Sequence, residues 1–297
     1  TMVVAGVFLV ARAYPLFQAV PDVLVVVASI GLITTLIGAT MALVVTDLKR
    51  ILAYSTISHL GLMMLSLGAF GYTAAIFHLL AHGFAKALLF LGAGSVMHGA
   101  DKTDIQEMGG LRYRMPITAY TFAIGALSLA GFPLLSGFFS KDEMLLAVLH
   151  GRNPIFLVIT LGIVFLSALY MARATLSVFW GDLKPENEHA HEAPRSMAVP
   201  MLVLAVGALG AGYIALSFGD YPGFISFLTN GEHKFELNIW LTAVSVVVSL
   251  GGLGLGYAIY GRHAISTEPI IRRFGAVHRL LANKYYLDNI YQWAIDK

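Results

Sequence analysis

Charge is missing from this chain over stretches too long for the interior of a water-soluble domain. Residues 23–46, 115–140, 196–219 and 237–261 contain no Asp, Glu, Lys or Arg, and about 20 apolar residues suffice for a helix to cross a bilayer. Only 12% of the 297 residues are charged and 58% are hydrophobic, against about 25% charged in soluble domains. Alternating ten-residue strands of a membrane barrel are not evident. The expected fold is all-α: a polytopic transmembrane helix bundle. With no cysteine in the chain, disulfides, thiolate zinc sites and cysteine-ligated iron–sulfur clusters are excluded.

Hydropathy and helix breakers predict eight spans, at 1–17, 23–46, 50–70, 73–98, 115–150, 154–180, 197–218 and 237–260. The fifth is too long for one straight crossing and too short for two. Its middle, Ala130-Gly131-Phe132-Pro133-Leu134-Leu135-Ser136-Gly137, is a run of helix breakers. The sequence Ser140-Lys141-Asp142-Glu143 after it has the form of a capping box. The span therefore reads as one broken helix, with Lys141 and Glu143 in the first turn of the second half. The chain starts at Thr1-Met2 inside an apolar run without a signal-peptide pattern, and it reads as a fragment truncated at both ends.

Counting the broken helix as one crossing, the loops on one side carry two Lys/Arg, Arg152 and Lys234, while the other side and the tail carry thirteen. This asymmetry places the basic loops and the C-terminal segment in the cytoplasm. Two regions follow: a transmembrane bundle over 1–261 and an amphipathic segment over 262–297. In the latter, Ile270, Phe274, Val277 and Leu281 recur at helical spacing, with Arg272, Arg273 and Arg279 on other faces. This pattern predicts a helix lying on the cytoplasmic surface of the membrane. The loop Glu186-Asn187-Glu188-His189-Ala190-His191-Glu192 reads as solvated, with a weak metal site as the lesser alternative.

Four basic residues fall inside spans: Arg12, Lys86, Lys141 and Arg173. Arg12 and Arg173 lie toward segment ends and are expected to snorkel. Lys86 and Lys141 are harder to place, because a lysine at a helix centre costs about 2.5–3.5 kcal/mol on insertion scales. His78, His82 and Lys86 follow each other at intervals of four, on one helix face. Neutral imidazole can take up a proton on one nitrogen and release it from the other, so the three form a candidate proton wire. Two other readings of the histidines are polar glue between helices and metal ligation, which the nearby lysine opposes. Lys49 and His59, at and beyond the entrance to the third span, sit beside Tyr54, Ser55, Thr56 and Ser58 and could pass protons inward; the alternative for Lys49 is a headgroup anchor. Few carboxylates lie inside the spans, which favours a proton over sodium as the transported ion. Acidic partners for the buried lysines are expected from outside this stretch.

These segments resemble the antiporter-like membrane subunits of respiratory complex I. The similarity is carried by Asp47-Leu48-Lys49-Arg50-Ile51-Leu52-Ala53-Tyr54-Ser55-Thr56-Ile57-Ser58, by the His78–Lys86 run with Ala87-Leu88-Leu89-Phe90-Leu91, by Met108-Gly109-Gly110-Leu111, and by Ser136-Gly137-Phe138-Phe139-Ser140-Lys141-Asp142-Glu143. The segment Asn283-Lys284-Tyr285-Tyr286-Leu287-Asp288-Asn289-Ile290-Tyr291 resembles the approach to the lateral helix of the L-type members, the counterparts of mitochondrial subunit 5. The resemblance implies Lys49 as a central-axis lysine, His78 and His82 as relay histidines, Lys86 as a further member and Lys141 as the terminal lysine of an exit half-channel. His59, where many L-type members are expected to have Gln, is a possible added relay group. A first half-channel would precede Thr1. The implied function is proton translocation as a subunit of NADH:quinone oxidoreductase, a translocase, in a bacterial inner membrane. NADH, FMN, iron–sulfur clusters and quinone would be held by partner subunits, and no cofactor by this chain. The alternative is a subunit of a multisubunit cation/proton antiporter or of another redox-driven pump such as a membrane-bound hydrogenase.

Overall fold

The computed structural model describes residues 2–218, 221–233 and 235–296, with the side chains of Ile270 and Asp288 outside the description. Lys234 of the charge count therefore lies outside the described residues, as does the side chain of Ile270 from the amphipathic pattern. Among the described residues there are helices and no strands, apart from isolated bridges. The first segment forms α1 (Val4–Arg12) and α2 (Tyr14–Gln18). Then follow α3 (Pro21–Val44), α4 (Leu48–Gly68) and α5 (Tyr72–Ala100). The predicted broken helix is α6 (Pro116–Ala130) and α7 (Ser136–Gly151), followed by α8 (Pro154–Phe179). After α9 (Arg195–Gly210) and the short α10 (Phe224–Leu228), α11 (Ile239–Gly256) runs into a π-helical turn over Tyr257–Gly261. Six of these segments are long and apolar enough to cross a membrane unbroken: α3, α4, α5, α8, α9 with its 3-10 extension to Ala215, and α11 with its π turn.

The break between α6 and α7 is built from turn chemistry and neighbouring hydroxyls. Gly131 ends α6 in the left-handed region at φ 84°, as glycine does at helix C-termini. Ser249 of α11 donates to the Ala130 carbonyl (2.7 Å), and Ser136 donates to the Ala208 carbonyl of α9 (2.7 Å). Irregular backbone at membrane depth is tolerated where protein satisfies its polar groups. Gly137 is required by close approach: a Cβ there would stand 1.8 Å from the Ser128 carbonyl oxygen. The predicted capping box is not formed. The second half-helix begins at Ser136, a turn earlier than expected, so Ser140, Lys141 and Glu143 lie inside α7 and Ser140 donates back to the Ser136 carbonyl (3.2 Å). Helix resumes as soon as the chain clears Leu134, whose φ is 70°.

Loops at the basic end are tied together. Asp47 caps α4 by accepting from the Arg50 amide (2.8 Å), Thr46 donates to Asp104 (2.7 Å), and the Leu48 amide donates to the Thr103 carbonyl (2.9 Å). The histidine-bearing loop is not simply solvated: Asn187 and Ala190 are buried. Glu192 accepts from the Ile117 and Thr118 amides (2.7 and 3.3 Å), an anion at the positive N-terminus of α6. Arg173 does not snorkel either. It is 7% exposed and donates to the Leu43 and Val45 carbonyls (2.7 and 2.8 Å), closing the C-terminus of α3, where a cation is favourable. The tail departs from a single amphipathic helix: α12 (Glu268–Arg273) and α13 (Gly275–Ala282) are separated at Phe274, which has φ −108° and ψ 33°. Gly275 weakens helix propagation there. Phe274, Val277 and Leu280 are exposed, and Tyr285 shares a hydrogen bond with Thr40 of α3 (2.8 Å). A last helix, α14 (Leu287–Ile295), ends the described chain.

Candidate functional site

His78, His82 and Lys86 follow one another one turn apart along α5, and all three are buried at 0, 3 and 6% exposure. His59, on the facing side of α4, is buried beside them. Its Nδ1 shares a hydrogen bond with His78 Nε2 (3.0 Å), and the two rings stack at 5.2 Å. His82 completes the group, with its ring 5.3 Å from His59 and 5.9 Å from His78. The other nitrogen of His78, Nδ1, shares a hydrogen bond with Ser140 Oγ of α7 (2.9 Å). His78 thus bonds through both ring nitrogens and joins α4 to α7. Three imidazoles converge, yet among the described residues no group of three or more His, Cys, Asp or Glu has a geometry that could hold a metal ion.

Lys86 lies one turn beyond His82 on α5. Its ammonium donates to the Leu52 carbonyl (2.9 Å) and to Ser55 Oγ, both on α4. Lys141 follows Ser140 on α7, and its ammonium donates to Ser167 Oγ of α8 (2.8 Å). Between His59 and Lys141 lies a cavity of about 10 Å³, lined also by Ser58 and Ser167, roughly the room a single water needs. The polar groups lining it are of the kind that hold such a water. The result is a nearly continuous polar file through an apolar bundle: Ser55, Lys86, His82, the His59–His78 pair, Ser140, Lys141 and Ser167. Every member can donate or accept a hydrogen bond, while His59 Nε2 and His82 Nε2 are buried without a partner among the described residues.

Among the described residues neither buried lysine meets a carboxylate, whereas Lys102 pairs with Glu107 (3.2 Å) at the basic end. Within this chain their partners are hydroxyls and a carbonyl. Lys49 stands apart from the file: it is exposed in the first turn of α4, at the basic end. Asp142, the residue after Lys141 on α7, turns to a different neighbour. Here it is 6% exposed and accepts from Ser245 (2.7 Å) and Thr242 of α11. Ser55 was named only as a polar neighbour, and Ser167 was missed. A serine in an apolar helix carries little signal, because its hydroxyl can be satisfied by its own preceding turn, as Ser167 also is by the Val164 carbonyl (2.7 Å).

Comparison with known proteins gives a consistent set of likenesses. A family profile described as NADH:quinone oxidoreductase/Mrp antiporter, TM, matches residues 1–167, a stretch that includes the whole file through Ser167. NAD(P)H-quinone oxidoreductase chain 5 of Picosynechococcus sp. is 38% identical, over 98% of this chain and 49% of that protein. F(420)H(2) dehydrogenase subunit L of Methanosarcina mazei is 40% identical, over 98% of this chain and 48% of that protein. The chain therefore spans about half the length of the curated relatives it matches. Among solved structures, a chain of the Mrp complex from Dietzia sp. is similar with a TM-score of 0.71 at 25% identity, over 99% of this chain and 32% of that chain.

Proposed function

The chain belongs to the NADH:quinone oxidoreductase/Mrp antiporter transmembrane family, and on that premise we propose that it carries a proton path of an L/5-type membrane subunit of a proton-translocating NADH:quinone oxidoreductase. The observation that supports this reading best is the double engagement of His78, through Nε2 to His59 (3.0 Å) and through Nδ1 to Ser140 (2.9 Å). An imidazole held at both nitrogens can receive a proton on one side and pass one on from the other. Lys86 and Lys141 at the two ends of the histidine group are the charge-bearing stations. Lys49 supplies protons from the basic end, and His59 is a relay group. Electron transfer belongs to partner subunits, where NADH, FMN, iron–sulfur clusters and quinone are held; this chain moves protons only. The membrane is the bacterial inner membrane, with the basic loops in the cytoplasm.

The test is proton translocation by the complete complex in sealed vesicles. Lys86→Ala and Lys141→Ala are each expected to lower the protons moved per electron pair, and unchanged stoichiometry in both variants would sink the relay. The Mrp likeness favours one second reading, a subunit of a cation/proton antiporter. In that case ion movement at fixed pH depends on sodium, whereas the pump reading expects no such dependence.

A further inference from the structure

Successive residues of α7 face different surroundings, because each step around an α-helix is 100°. Lys141 faces Ser167 of α8, and Asp142 faces Thr242 and Ser245 of α11. Glu143 faces a third environment, a cavity of about 550 Å³ at the end of the bundle opposite the basic loops. The cavity is bounded by the α4–α5 turn, the end of α7 and the segment leading to α11, and its titratable lining is Glu143, His150, Glu232, His233 and Glu236. His150, Glu232, His233 and Glu236 are exposed, so the cavity opens to the surface. Among the described residues no Lys or Arg lines it. Glu143 itself is half-buried at the floor. One of its oxygens, Oε1, is buried without a hydrogen-bond partner among the described residues. Asp142 precedes Glu143 on α7, and Glu236 lines the same cavity.

We infer that Glu143 is the last proton-carrying side chain of the path and that this acidic cavity is its mouth on the face opposite the basic loops. The inference rests on the proton-path reading above. A proton that reaches the cavity end of α7 binds a carboxylate oxygen of Glu143. It then leaves to water in the cavity, restoring the carboxylate, so the side chain is unchanged over a cycle. The carboxylates lining the cavity raise the local concentration of cations at the mouth.

The experiment uses the complete complex in vesicles with Glu143→Gln, Glu143→Asp and, for reference, Lys141→Ala and Lys86→Ala. Glu143→Gln keeps size and hydrogen bonding but cannot carry a proton, and translocation is expected to fall on the order of 10²-fold; Glu143→Asp is expected to stay near the parent. Parental translocation in Glu143→Gln with a defect in Lys141→Ala or Lys86→Ala overturns this inference and leaves the proposed function standing. Parental translocation in Glu143→Gln, Lys141→Ala and Lys86→Ala alike overturns both. A second measurement does not depend on folding of the glutamate variants. Thr73→Cys places a thiol on the cavity wall in a chain without cysteine. Its full modification by a membrane-impermeant cationic thiol reagent, added on the face opposite the basic loops, is expected to slow translocation several-fold. Full modification with no slowing overturns the mouth.

Discussion

At the scale of single residues, the distinction that matters at His78 is between holding helices together and passing a proton. A glutamine at 78 retains a donor and an acceptor and can bridge His59 and Ser140, but it cannot take a proton at one atom and give one from another. His78→Gln is therefore expected to leave the complex assembled while translocation falls on the order of 10²-fold; parental translocation in that variant would reduce His78 to polar glue. Proton flux in reconstituted vesicles, with assembly checked by native gel, measures both. The histidine–lysine file was legible in the sequence because intervals of four on an apolar helix leave one face, and buried ionisable groups are costly there. His59 was legible only as a polar group near the span entrance; its pairing across nineteen residues with His78 (3.0 Å) depends on how α4 and α5 register. The hydroxyls of Ser55, Ser140 and Ser167 become functional only through that register, which no spacing within one helix reveals.

Elements obey the same logic at their ends. The broken helix was visible as a cluster of Gly, Pro and Ser, but its restart was misplaced by a turn, since a Ser-x-x-Glu pattern is also compatible with a helix interior. What fixes the restart is tertiary: Ser128, Ser136 and the Ala208 carbonyl interlock across α6, α7 and α9. Gly137→Ala places a methyl against the Ser128 carbonyl oxygen, and overpacking of this kind costs about 1–3 kcal/mol. The expected result is a lower melting temperature in detergent, together with impaired translocation, because α7 carries Ser140, Lys141 and Asp142. Arg173 tests the opposite kind of contribution. Its guanidinium closes the last carbonyls of α3 from α8, and a hydrogen bond to a charged group is worth about 1.5–3 kcal/mol. Arg173→Met keeps the apolar stem and removes those bonds. It is expected to lower thermal stability by about that amount, read from denaturation in detergent, with less effect on the lysine–histidine file than Lys141→Ala.

For the whole molecule, orientation is a matter of charge placement summed over loops. The proposed orientation rests on thirteen Lys/Arg against two and the positive-inside bias. The fold adds a physical reason for treating the basic loops as a unit. Thr46 with Asp104, the Leu48 amide with the Thr103 carbonyl, and Glu192 on the first turn of α6 join three connections into one surface layer. One loop of that layer cannot sit on the wrong side without the others. The proposed direction of transport depends on this placement, since Lys49 faces the basic layer while Lys141 and Glu143 lie toward the other end of the bundle. Single cysteines decide it. Thr103→Cys lies exposed in the basic layer and Ala19→Cys lies exposed in the turn between α2 and α3 at the other end. In right-side-out vesicles an impermeant thiol reagent is expected to modify Ala19→Cys at once and Thr103→Cys only after the membrane is opened. The reverse pattern would turn the bundle over, making the Glu143 cavity the proton entrance instead of the exit.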